Sequence, residues 1–367
     1  MKQSNSMIRT ALIAAGLTWL GVEATRRLRE DDLRGEVALI TGGSRGLGFL
    51  LARELGHNGC RVAICARDRR ELEAARADLA AQGIDVFPVV CDVANQGDVE
   101  QMITQVTRHY GRIDLLVNNA GIILVGPVEN MTTADFHRVM DINFWGTFYP
   151  TFAVLPQMLG RRRGRIVNIT SIGGEISVPH LLPYSAAKFA ATGFSQGLSA
   201  ELRNKGIQVT TVAPSTLRTS SHLQAEFTGQ QAKEFTWFSL SATLPGVAVS
   251  AESAAQQIVR AIKQRATMLQ IGLPAKIGAR VHGLFPGLVT DLLALVIANV
   301  MPAPVPERVE PLRGMTVKAQ LPPVQRARLE QVTALGQQAA RQYNQYTGEN
   351  LAAPVGYWAD APVAQPL

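Results

Sequence analysis

From Glu36 onward the chain alternates between two hydrophobic patterns. Short, nearly continuous apolar runs rich in β-branched residues recur at VALIT (37–41), RVAICA (61–66), IDVFPVV (84–90), IDLLVNN (113–119), RIVNIT (165–170), IQVTTVA (207–213) and ATMLQIG (266–272). Between them, apolar residues take helical spacing, as in Leu47, Leu50, Leu51 and Leu55, or Leu72, Ala75 and Leu79. Strands apolar at successive positions are buried on both faces, and helical crossovers between them make a parallel sheet covered on both sides. The pattern predicts one α/β, doubly wound domain with seven strands over residues 35–272. No internal repeat is visible.

Three flanking regions depart from this pattern. Residues 1–34 hold an apolar run, TALIAAGLTWLGV (Thr10–Val22), followed by Glu23 and the cluster Arg26-Arg27-Leu28-Arg29. The run is short for a spanning helix, which needs roughly 20 residues. Residues 273–303 contain GLFPGLVTDLLALVIANVMP, broken by Pro286-Gly287 and carrying only Asp291 as a charge. A straight membrane crossing fits this poorly; a shallow insertion or a cap over the body fits better. Residues 304–367 are polar and rich in Pro, Gln and Ala, with one helix suggested by Leu329, Val332, Leu335 and Ala339. The final residues have the composition of a disordered end.

Composition narrows the function classes. At 47% hydrophobic and 18% charged residues, the chain can bury a sizeable core. Its net charge of +7 admits anionic partners. However, the basic clusters, including Arg161-Arg162-Arg163, are short and lack interleaved aromatics, so nucleic acid is not expected. Cys60, Cys65 and Cys91 are too few and too irregularly spaced for a disulfide framework or a zinc site.

The chemistry-bearing residues sit at strand ends. After the first strand comes Thr41-Gly42-Gly43-Ser44-Arg45-Gly46-Leu47-Gly48, where glycines let backbone approach a phosphate and a helix start supplies N–H groups. The second strand ends Cys65-Ala66-Arg67. An arginine there suits the 2′-phosphate of NADP, whereas NAD would call for a carboxylate, and Arg45 adds a second cation. Tyr184 and Lys188, four apart on a helix, share a face. A phenol titrates near 10, and a neighbouring ammonium favours its ionised form, which would suit it to acid–base work. Ser171, after the fifth strand, is placed to bond the same substrate oxygen.

Taken together, TGGSRGLG (41–48), CDV (91–93), NNAG (118–121), Asn143 in DINFWGT, Ser171 in NITS and YSAAK (184–188) resemble the short-chain dehydrogenase/reductase family over residues 35–272. The resemblance implies a Rossmann-type fold binding NADP(H), with Tyr184 as general acid/base. Lys188 would lower its pKa and bind the nicotinamide ribose, Ser171 would orient the carbonyl, and Asn143 would hold a relay water. Gly42, Ser44, Arg45, Gly46, Leu47, Gly48 and Arg67 would line the phosphate side. Asp92 and Val93 would meet the adenine, and Asn119 to Gly121 the adenosine. After the sixth strand the family's Pro-Gly pair reads Pro214-Ser215 here, with Thr219 retained for nicotinamide contact and Leu217 expected to touch the cofactor. Ser215 puts in doubt a turn that needs positive φ, so a modified loop is expected.

The expected function is NADP(H)-dependent interconversion of a carbonyl and an alcohol. The lid, about 217–250, contains Phe227, Phe235, Trp237, Phe238, Leu240 and Leu244, which would either line a hydrophobic site or pack the lid down. His180 would line the pocket or be an ordinary loop residue. A hydrophobic, lipid- or steroid-like substrate is favoured. The alternatives are a soluble reductase of small carbonyls and a non-catalytic NADP(H)-binding module, the latter disfavoured by the complete set Asn143, Ser171, Tyr184 and Lys188. With a nucleotide cofactor inside the cell, the expected location is the cytoplasm. The Thr10–Val22 run is then read as a membrane-surface anchor ahead of a packed helix or a signal peptide. A homo-oligomer is compatible with the family.

Overall fold

The computed structural model describes residues 30–243 and 248–343; Thr10–Val22, Arg26, Arg27, Arg29, Leu244 and the end of the tail lie outside the described residues. The central sheet contains β1 (Val37–Thr41), β2 (Arg61–Ala66), β3 (Val86–Val90), β4 (Leu115–Asn118), β5 (Gly164–Ile169), β6 (Ile207–Pro214) and β7 (Met268–Ile271). All pairings are parallel, in the order β7-β6-β5-β4-β1-β2-β3. The chain reverses direction across the sheet between β1 and β4, and this opens a crevice at the strands' carboxyl ends.

The helices are α1 (Gly46–His57), α2 (Arg69–Ala81), α3 (Gln96–Tyr110), α4 (Thr133–Met140), α5 (Gly146–Arg161), α6 (Leu182–Leu202), α7 (Gln231–Ser241) and α8 (Ala251–Lys263). One face of the sheet packs on Leu50, Leu51 and Leu55 of α1 and Ile258 and Ile262 of α8. The other packs on Val99, Met102 and Val106 of α3 and Val154 and Met158 of α5. This double coverage explains strands without polar alternation, with VALIT buried at every position. Cys60, Cys65 and Cys91 are free and buried.

Beyond β7 the chain forms α9 (Leu273–Leu284) and α10 (Pro286–Val300), joined at Phe285. It then returns to the body. Leu312–Arg313 pairs antiparallel with Glu226–Phe227, which pairs parallel with Leu124–Val125. The helices α11 (Gly314–Gln320), α12 (Pro323–Val332) and α13 (Ala334–Gln342) follow. Val317, Leu321 and Leu329 close a third core around Phe227, Phe235 and Phe238 of the lid.

Candidate active site

The glycine turn is built for close backbone approach. Gly42 has φ +64, and a Cβ on Gly48 would stand 2.1 Å from the Gly42 carbonyl oxygen and 2.5 Å from Asn119 Nδ2. The turn is fixed from both sides. The Gly43 N–H donates to Cys65 O at 3.0 Å. Asn119 Nδ2 donates to Thr41 O at 3.0 Å and Gly42 O at 3.1 Å, while Thr41 Oγ1 accepts from the N–H groups of Asn119 and Ala120. NNAG is therefore the backing of the glycine turn. With α1 starting at Gly46, its first-turn N–H groups and positive end fit a cofactor diphosphate.

On the adenosine side the two arginines differ. Arg45 Nη1 lies 2.6 Å from Glu71 Oε1, and Ser44 Oγ donates to the other oxygen of Glu71 at 3.1 Å. Glu71 is buried and neutralises part of that cation's charge. Arg67 is exposed at the end of β2. Surrounding protein lowers its pKa by desolvation; the Asp92 carboxylate opposes the shift, and the Arg45 and Arg313 guanidiniums reinforce it. The half-buried Asp92 accepts from the Ala94 N–H at 3.0 Å, and Val93 is buried against the α3–α5 layer.

At the carboxyl ends of β5 and β6 the remaining residues converge. A Cβ on Gly173 would lie 3.3 Å from Tyr184 Cε1 and 3.4 Å from Ser171 Oγ, so one point touches both side chains. Burial pushes the Tyr184 phenol up, and its hydrogen bond with Ser171 pulls it down by less. Lys188 is buried, donates to Ile169 O at 3.0 Å and has Nζ 5.7 Å from the Tyr184 ring centre. Desolvation lowers its ammonium to about 8. The lowered phenol expected beside a lysine is therefore not what the protein alone produces; burial dominates both groups.

Asn143 is carried by a π-helical turn, Asp141–Trp145, between α4 and α5. Its Nδ2 donates to Ile122 O and Val139 O, each at 3.0 Å, while buried Oδ1 has no hydrogen-bond partner among the described residues. A Cβ on Gly121 would meet that oxygen at 2.6 Å and Lys188 Nζ at 3.6 Å. The acceptor and the ammonium thus lie against the same glycine, where a side chain would clash with the acceptor.

The loop after β6 resolves the question at Ser215. Positive φ occurs at Ser220 (59°) and Gly272 (92°), and Ser215 is not among such residues. A Cβ on Gly272 would stand 2.1 Å from Ser215 Oγ, so the glycine that makes room for Ser215 comes from the end of β7. Thr219 is buried and Leu217 half-buried at the crevice.

The lid is clamped by Glu234, which the sequence pattern did not single out, acting on His180 and Trp237, which it did. Glu234 of α7 is fully buried; its carboxylate oxygens meet His180 Nδ1 at 2.8 Å and Trp237 Nε1 at 2.6 Å. His180, with φ 59, is thus a lid fastener. Phe227, Phe235 and Phe238 pack inside the lid's own core, whereas half-buried Ile123, Val178, Tyr184, Trp237 and Leu240 pack against it from outside. The C-terminal segment also reaches the crevice: Ser220 Oγ donates to Gly336 O, and the Gly46 N–H donates to Tyr343 O at 2.9 Å.

A model of the short-chain dehydrogenase family matches residues 36–231. The chain belongs to this family. A Drosophila melanogaster dehydrogenase/reductase SDR family protein 7-like is 37% identical over 201 residues, covering 53% of this chain and 61% of the relative's length. A 3-oxoacyl-[acyl-carrier-protein] reductase of Synechocystis is 38% identical over 197 residues, covering 53% of this chain and 80% of that one. Among solved structures, an actinorhodin polyketide ketoreductase with NADPH is 30% identical with a TM-score of 0.56, over 65% of this chain and 97% of that one. A metagenomic short-chain oxidoreductase in complex with NADP is 27% identical with a TM-score of 0.54, over 66% of this chain and 97% of that one. The short-chain dehydrogenase match ends within the lid, so α9, α10 and the C-terminal segment lie beyond it.

Proposed function

We propose that this short-chain dehydrogenase is an NADP(H)-dependent oxidoreductase that interconverts a carbonyl and an alcohol on a hydrophobic molecule. The observation that carries the chemistry is the convergence of Ser171, Tyr184, Lys188 and the unpartnered Asn143 Oδ1 at one end of the crevice. NADP(H) is the cofactor, as in the ketoreductase and oxidoreductase complexes. The glycine turn would hold its diphosphate, Arg67 and Arg45 its 2′-phosphate, and Lys188 its ribose. When bound, it supplies or takes up the hydride. Ser171 orients the substrate oxygen, and Tyr184 donates or accepts the proton at its hydroxyl. Lys188 and the unpartnered Asn143 Oδ1 would hold a relay water for that hydroxyl.

The half-buried apolar residues Ile123, Val178, Trp237 and Leu240, which flank the same lid core as Tyr184, support a hydrophobic substrate. One observation favours the second reading, a reductase of small carbonyls: the lid phenylalanines fill the lid core and so do not line a substrate site. A half-exposed aromatic face of Trp145, Phe148, Phe152 and Phe194 supports a homo-oligomer. The proposal extends to membrane attachment of a cytoplasmic enzyme through residues 1–34, supported by their sequence alone.

Tyr184→Phe tests the assignment. Loss of the proton carrier should lower turnover by about 10²–10⁴-fold while NADPH titration stays nearly unchanged. Retention of more than about a tenth of the activity on the best substrate would remove Tyr184 from the acid–base role.

A further inference from the structure

The hairpin α9–α10 has a surface that a water-facing helix pair does not tolerate. Only Ala275 is buried on α9, and no residue is buried on α10. Leu284, Phe285, Leu288, Leu292, Leu295 and Val300 are each more than half exposed. These large side chains lie close together, unlike the scattered apolar residues of an ordinary surface.

The distribution around each helix says what covers them. At 100° per residue, the large apolar positions of α10 (288, 289, 292, 293, 295, 296, 297 and 300) sweep an arc of roughly 200°. Packing against α9 half-buries only Val289 and Leu293 in the middle of that arc, so apolar surface remains on both sides of the seam. A single protein face would cover one side; a fluid apolar phase covers both. On α9, Leu273, Ile277, Val281 and Leu284 form one exposed stripe, flanked by exposed Lys276 and Arg280. Cations beside an apolar stripe match an anionic lipid surface.

The dimensions favour insertion into one leaflet. The 15 residues of α10 extend about 22 Å, against about 30 Å for a hydrocarbon core. Among the described residues, no helix is long and apolar enough to cross a membrane. Phe285 at the hairpin's tip would lie deepest, and Asp291 and Asn299 are the polar breaks along α10.

The hairpin also stands beside the active site. A Cβ on Gly278 would lie 2.9 Å from Ile176 Cδ1, so α9 packs on the loop that carries Gly173 against Tyr184. Gln270 Nε2 donates to Glu175 Oε2 at 2.8 Å, tying β7 to that loop. We infer that α9–α10 is a monotopic lipid anchor, inserting into one leaflet of an anionic membrane and setting the mouth of the Tyr184 site at its surface. The anchor rests on exposure, shape and charge; only the orientation of the mouth rests on the proposed reductase reading.

The test uses the full chain with Leu292→Cys carrying an environment-sensitive dye, the three native cysteines being buried. Addition of phosphatidylserine-containing vesicles should blue-shift the dye, and brominated acyl chains should quench it. Lys276→Ala/Arg280→Ala should lower partition onto those vesicles about 25-fold, since each cation near the surface contributes about fivefold, with little change on neutral vesicles. A dye that stays in water while the protein binds vesicles would overturn the anchor, placing attachment elsewhere. A dye already in an apolar setting without lipid, with the dyes of two copies close enough to self-quench, would also overturn it and make the hairpin an interface between copies. NADPH oxidation on a water-soluble carbonyl, read in parallel, reports the reductase assignment separately.

Discussion

Replacing Glu234 by Gln tests whether the lid is held by one buried carboxylate. The side chain is fully enclosed, and both oxygens act as acceptors, for His180 Nδ1 at 2.8 Å and Trp237 Nε1 at 2.6 Å. Gln fills the same volume but offers one acceptor oxygen and an amide that only donates. One of the two partners therefore loses a charge-assisted bond, worth about 1.5–3 kcal/mol. Where the loss falls depends on how the lid is coupled to the body. If α7 unfolds with the core, about 2 kcal/mol should lower Tm by roughly 4–8 °C in a domain of this size. If the lid opens alone, the same energy should raise KM for the carbonyl up to about thirtyfold, with NADPH affinity unchanged. Calorimetry and steady-state kinetics on one preparation separate the cases. Glu234→Gln with unaltered Tm, KM and kcat would refute the clamp and reduce His180 to a loop residue.

Arg67→Ala should weaken NADPH by about tenfold or more and leave NADH nearly unchanged, because a charge-assisted contact to the 2′-phosphate is lost; equal effects on both cofactors in titrations would move recognition elsewhere. Lys188 titrates at about 8 in the folded protein, lowered by desolvation, against about 10.4 unfolded. The unfolded chain binds more protons between those values, so cofactor-free protein should gain stability as pH rises from 8 towards 10, by an amount on the order of 2 kcal/mol, and Lys188→Met should abolish the gain in denaturant titrations. Ending the chain after Thr333 frees the Gly46 N–H from Tyr343 O and removes Ala339 and Tyr343 from the core. NADPH should then bind about two- to tenfold more tightly while Tm falls, since one hydrogen bond to that N–H is worth about 0.5–1.5 kcal/mol; unchanged affinity would show that tail and cofactor do not compete for it.

The strands and the glycine turn were legible because their signals are local. Burial on both faces forces apolar residues at successive positions, and the tight turn at Gly42 admits no Cβ at Gly48. Strand ends were less legible. Ile84 and Asp85 precede β3, and Ile113 and Asp114 precede β4, although the backbones of Asp85 and Asp114 bond to the neighbouring strands. The lid was legible only as composition. Whether Phe227, Phe235 and Phe238 face substrate or scaffold depends on Val317, Leu321 and Leu329, which arrive from about 80–100 residues downstream without a periodic signature. The same holds for Leu312–Arg313, a two-residue strand that acquires its pattern only from Glu226–Phe227. Likewise, Ser215 reads as a defect in the chain's own order, and only the fold brings Gly272 opposite it.

That division has a consequence for where specificity resides. The residues proposed to recognise the cofactor lie at or beside strand ends, and those proposed to move the proton lie at the start of the helix α6 and in the turn that carries Asn143, where a short motif suffices to find them. The residues that shape the substrate mouth are held by contacts between distant segments: the lid to residues 312–329, His180 to Glu234, and α9 to Ile176. A change in the C-terminal segment can therefore reshape the mouth without touching Tyr184, Lys188 or Ser171. Substitutions at Val317, Leu321 or Leu329 should move KM between carbonyls of different size more than they move kcat. Small cavity-forming changes such as Leu329→Ala are expected to cost about 2–4 kcal/mol locally. If such variants altered kcat for all substrates equally and left their ranking unchanged, the C-terminal segment would be a brace for the catalytic residues and no part of the substrate wall.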